Sequence, residues 1–111
     1  MEQLTINSFG TEVPVYFSKK KTTKGELSLV LLCMENGFLE PWCNVTMHPK
    51  GYKGNTDTGL VKNYSENEGL DDWLEENGIA KPTGQIFPTG RVILPEYKFD
   101  LSMVEKYSYH E

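Results

Sequence analysis

The sequence predicts an α+β domain: an antiparallel sheet of five or six strands, one α-helix packed on a face, and a short C-terminal helix. Three observations carry this. Apolar and polar residues alternate at period two through most of the chain. One stretch, Leu70, Trp73 and Leu74, repeats at helical spacing instead. Gly, Pro and Asn punctuate the chain often enough to turn it back on itself.

Leu4 to Phe9 alternates as a half-buried strand, and Gly10 marks a turn. Val13, Val15 and Phe17 form the apolar face of a second strand, with Pro14 assigning it an edge or a late start. Lys19 to Gly25 reads as a polar, basic loop. Leu27 to Met34 is apolar on both faces, the pattern of a central strand covered, at least in part, on both sides. Asn36-Gly37 is a strong hairpin signal, so the return strand runs from Phe38 to Met47 and completes a four-stranded meander. His48 to Asp57, with Pro49, Gly51 and Gly54, reads as a long mobile loop, and Leu60 to Tyr64 as a short strand.

Ser65 and Glu68 have capping-box spacing, and Gly78 suits a left-handed helix end. The helix is therefore placed at Glu66 to Asn77, with Gly69 weakening its first turns. Lys81-Pro82-Thr83-Gly84 and Pro88-Thr89-Gly90 read as turns, and Arg91 to Phe99 as a strand broken at Pro95. Asp100 caps the final helix, which places Leu101, Val104 and Tyr107 on one side.

The 111 residues suffice for one domain, and 12 % aromatic content indicates a folded core. A net charge of −5 disfavours generic binding to DNA or RNA through a basic surface. Four of the eleven basic residues, Lys19, Lys20, Lys21 and Lys24, sit together. They guard a sheet edge or contact phosphate. The start of the chain has no signal-peptide pattern, and no apolar run reaches membrane-spanning length, so a cytoplasmic protein is expected. Cys33 and Cys43 are then free thiols.

No phosphate-binding loop or dinucleotide motif is present, and two cysteines with two remote histidines do not make a zinc pattern. His48 and His110 lack a nucleophile and an orienting group at recognisable spacing. No catalytic residue, metal or cofactor is expected. The densest chemistry is acidic: Glu68, Asp71, Asp72, Glu75 and Glu76 lie along the helix with no basic residue among them. Such a run is either a solvated face or an anionic ridge for a basic partner groove. Tyr52, in its Gly-rich loop, is the best exposed aromatic anchor, whereas most Trp and Phe belong to the core.

The acidic helix with Trp73, the run Gly78-Ile79-Ala80-Lys81-Pro82-Thr83-Gly84, Thr89-Gly90, Pro95-Glu96-Tyr97-Lys98-Phe99-Asp100 and, upstream, Glu40-Pro41-Trp42-Cys43-Asn44-Val45-Thr46 carry a resemblance. The chain resembles a family of small proteins of unassigned function from mobile elements of Gram-positive bacteria, similar to inhibitors of type II-A CRISPR systems. Leu94 stands where that family often has an aromatic, and Lys62 and Asn63 stand near a frequent aspartate. The resemblance implies an anti-CRISPR protein that binds the type II effector nuclease, or its guide RNA complex, and interferes with guide loading. The nuclease holds guide and target in positively charged channels, which suits an acidic ligand. Two other readings remain: a ribonuclease trimming the guide, using a carboxylate with Lys81 or Arg91, and a non-catalytic accessory factor of element transfer.

Overall fold

The computed structural model describes residues 3–35 and 37–109. Asn36 of the expected hairpin and His110 lie outside the described residues. Strands β1 (Leu4–Ser8), β2 (Thr11–Lys21), β3 (Leu27–Glu35) and β4 (Phe38–Asn44) form an antiparallel meander. A second antiparallel sheet has the order β5 (Thr46–Met47), β6 (Thr58–Val61), β8 (Val92–Phe99), β7 (Ala80–Thr89). The architecture is α+β and antiparallel, but it comprises two four-stranded sheets rather than one sheet of five or six strands.

The division falls at Val45. The expected return strand Phe38–Met47 leaves β3 after the Asn44–Val30 pair and joins the second sheet at Thr46. Val45 is fully buried and bonded to both sheets, its N–H donating to Leu29 O at 2.9 Å and its carbonyl accepting from Lys62 N at 2.9 Å. Thr46 Oγ1 accepts from Leu29 N at 3.0 Å, so a side chain replaces the ladder bond that β4 no longer supplies.

The sheets share one core. Val15, Phe17, Leu27, Leu29 and Leu31 from the first meet Val61, Tyr97 and Phe99 from the second. The other face of β3 is covered only in part, within expectation: Leu32 is half-buried and Met34 exposed. Pro14 sits in the part of β2 that pairs with β1 alone, before β3 joins at Val15, and so leaves no ladder bond unmade on the β3 side. Lys19–Lys21 extend β2 rather than forming a loop, and the turn is confined to the residues that follow. Beyond the reach of β1, the segment Tyr107–Tyr109 lies alongside β2, with Phe17 N donating to Tyr107 O at 2.9 Å.

The expected helix is shorter and broken. A 3-10 turn spans Ser65–Asn67, Gly69 follows at φ 85°, and α1 runs only from Leu70 to Glu76. The capping box does not form, because Ser65 is itself left-handed at φ 58° and gives no side-chain cap. Asn67 is drawn inward, donating from Nδ2 to Asn44 O at 2.6 Å. The other end of α1 follows the sequence. Gly78 at φ 69° lets Ile79 N donate to Leu74 O and Gly78 N to Glu75 O, the paired bonds of a Schellman motif. α2 (Leu101–Lys106) is capped by Asp100, whose Oδ1 accepts from Ser102 N and Met103 N.

The run around Pro82 is not a turn but part of β7, an edge strand with a register shift between Pro82 and Ile86, whereas Pro88-Thr89 ends that strand and Gly90 lies in the expected turn to β8. An edge tolerates prolines because one flank needs no donors. Residues 48–57 form a loop as expected, but one tied at several points. His48 Nε2 donates to Leu27 O, Gly54 N to the buried Glu26 carboxylate, and Leu27 N to Asn55 O.

Two substitutions test this frame by urea denaturation. Asp100→Ala removes the α2 cap and should cost about 1 kcal/mol. A Cβ on Gly54 would lie 2.7 Å from Thr58 O, so Gly54→Ala should cost about 1–3 kcal/mol through overpacking. A Gly54→Ala protein as stable as the parent would show that the loop yields freely.

Candidate partner-binding surface

The β1–β2 connection is a two-residue turn, Phe9-Gly10, with both residues at positive φ, 51° and 83°. Such turns favour Asn or Gly because a Cβ is strained there. Phe9 nevertheless occupies the first position, and its ring is fully exposed. Asn7 Oδ1 secures the turn by accepting from Gly10 N at 3.2 Å. An aromatic held in a strained conformation and left in water contributes nothing to the core.

Phe9 overlooks a groove of about 370 Å³ between the β1–β2 turn, β4 and the approach to α1. Trp42, Cys43, Asn67 and Trp73 line it, with Glu66 and Glu68 on its acidic side. Trp42 reaches the groove because β4 bulges: Pro41 pairs with Leu32 and Cys43 with Leu31, leaving Trp42 as the extra residue, 37 % exposed. Trp73 donates from Nε1 to Thr5 O at 3.0 Å, which fixes α1 against β1. Asn67 is 4 % exposed, and its Oδ1 has no hydrogen-bond partner.

Electrostatics on this wall are set by local pairs. Lys62 bonds to Glu66 and holds its carboxyl down at about 2. The same bond raises the Lys62 ammonium. Burial, then the charge of Glu66, pushes the Cys43 thiol up to about 11, so it is neutral and a poor nucleophile near pH 7.

The predicted acidic ridge divides in two. Glu68, Asp72, Glu75 and Glu76 are exposed and Asp71 is half-buried, but only Glu68, Asp72 and Glu76 are left to solvent without a bracing role. Asp71 accepts from Asn63 Nδ2 at 3.1 Å, and Glu75 accepts from Tyr97 OH at 2.7 Å, so both brace α1. Burial and the Glu75 bond raise the Tyr97 hydroxyl above the usual phenol range. Tyr52 is half-buried rather than free: its OH donates to Glu96 at 2.7 Å and its ring meets Phe87 edge-on. Burial followed by that bond raises its hydroxyl as well.

The expectation that most Trp and Phe are core is corrected by Phe9, Phe38 and Trp42, all exposed. Phe9 next to Gly10 in a turn was the available signal; the Trp42 bulge had none. Lys81 and Arg91 do not converge, since Lys81 pairs with Lys98 near one end of β7 and Arg91 follows its other end. Among the described residues no group of three His, Cys, Asp or Glu could hold a metal, and no helix is long and apolar enough to cross a membrane. Of the residues behind the resemblance, Tyr97 and Phe99 are core and Asp100 is a cap, whereas Trp42 lines the groove.

The sequence matches one described family, Domain of unknown function (DUF4313), over residues 13–111. No curated protein and no solved structure matches.

Phe9→Asn should stabilise the fold by about 1 kcal/mol, read as a higher urea midpoint, because Asn accepts the left-handed region. Alkylation by iodoacetamide at pH 8 should be at least tenfold slower in the native protein than after unfolding, since Cys43 stays protonated there. Equal rates would contradict the thiol's placement.

Proposed function

The chain belongs to the DUF4313 family, and from that premise we propose that it is a non-catalytic protein ligand, an anti-CRISPR inhibitor of a type II effector nuclease. Its acidic and aromatic surface docks in a basic groove of the nuclease and blocks guide RNA loading in the cytoplasm of a bacterial host. The observation that carries the binding reading is Phe9, fully exposed and held at φ 51° beside the carboxylates of Glu66 and Glu68. Strain retained at an exposed aromatic is characteristic of a contact residue, and aromatics are enriched among interface anchors.

The choice of nuclease as target rests on the resemblance and on charge. A net −5 chain with Glu68, Asp72 and Glu76 exposed complements a channel built for nucleic acid. Lys81 and Arg91 lie near opposite ends of β7, so the ribonuclease reading would have to draw on one of them alone.

Purified protein mixed with guide-free nuclease before labelled guide RNA is added should block loading in stoichiometric proportion and leave the RNA full-length. Shortened RNA would replace this reading with the ribonuclease, and unhindered loading with intact RNA would reject guide exclusion. A Glu68→Lys, Asp72→Lys, Glu76→Lys triple variant should inhibit at least tenfold more weakly with unchanged circular dichroism. Glu75 is left intact because it braces Tyr97.

A further inference from the structure

We infer that the groove beneath Phe9 receives an arginine side chain from the partner protein. The inference rests on the binding reading above and names the chemistry recognised. Three features converge. Aromatic residues Phe9, Trp42 and Trp73 supply faces on which a planar guanidinium stacks. Glu68 supplies an exposed carboxylate on the same lining, and Glu66, already bonded to Lys62, adds acidic surroundings. Asn67 supplies a buried carboxamide oxygen that accepts nothing, while its Nδ2 is committed to Asn44 O at 2.6 Å.

A buried acceptor without a donor costs free energy. Arginine brings five N–H donors in a fixed fork and is always charged. Once the lining side chains part, one donor reaches Asn67 Oδ1 while the others meet carboxylate. Lysine is a point charge with no plane to stack, so the site discriminates against it. An aliphatic anchor would meet neither the Glu68 carboxylate nor the Asn67 oxygen. Nucleic acid is disfavoured by the carboxylates themselves.

The test uses the intact protein and a capped hexapeptide of alternating arginine and glycine, with lysine and citrulline counterparts. Trp42 and Trp73 are the chain's two tryptophans and both line the groove, so intrinsic emission reads occupancy directly. The arginine peptide should give a saturable one-to-one change, the lysine peptide should bind at least tenfold more weakly, and the citrulline peptide should give no change. Phe9→Asn and Glu68→Gln should each weaken arginine-peptide binding severalfold; since Phe9→Asn relieves strain, loss of binding there is not loss of fold. Equal binding of arginine and lysine peptides, no saturable change, or insensitivity to both variants would overturn the inference. A protein that ignores the peptides but still blocks guide loading rejects the arginine groove alone. One that takes the arginine peptide but leaves loading unhindered rejects the nuclease and keeps the groove.

Discussion

The first third of β3, from Leu27 to Leu29, lacks β4 as a partner, and the rest of the structure depends on how that gap is filled. Leu27 and Leu29 present backbone groups toward a flank that β4 has left. Each is met by something different: Asn55 O and His48 at Leu27, Thr46 Oγ1 and the Val45 N–H at Leu29. Buried backbone groups must be paired. Satisfying these four brings the second sheet against the first, pins the 48–57 loop, and buries Val45 at the seam. Without that seam there is a meander with one bare apolar face.

The same crossing positions the groove. When the chain leaves β4 at Asn44, the carbonyl of Asn44 is left to accept from Asn67. That bond draws the segment before α1 inward, in competition with a regular helical first turn, and Gly69 absorbs the change of direction at φ 85°. The carboxylates of Glu66 and Glu68 therefore sit against β1 and β4 instead of continuing the helix. An acidic wall faces two tryptophans because an amide was needed elsewhere.

Much of the fold was legible in local pattern. The alternation of β1 to β3, the Gly78 helix end and the Asp100 cap depend on neighbours in sequence, and those readings agree with the structure. The misreadings involve long-range competition. Ser65 and Glu68 have the spacing of a capping box, yet the Asn67–Asn44 bond overrides it. Pro82 looks like a turn residue until β7 is known to be an edge. Of the candidate surface, the carboxylates were visible in the sequence, but a run of acids does not say which ones brace Tyr97 or Asn63 and which face water. Phe9 lies outside the residues matched to the family, whereas Trp42 and Glu68 lie within them.

The pairing of Phe17 with Tyr107–Tyr109 joins residues roughly ninety positions apart. Contacts of that span carry a large loop-closure entropy and form late in a folding reaction. The β1–β4 meander, built from neighbouring hairpins, can assemble early, but the flank of β2 past β1 stays open until α2 is in place. While it is open, Phe17 offers an unpaired strand edge above an uncovered apolar face, the kind of intermediate that self-associates. Lys19, Lys20 and Lys21 continue that same strand, exposed, and their charge guards the edge for as long as it waits.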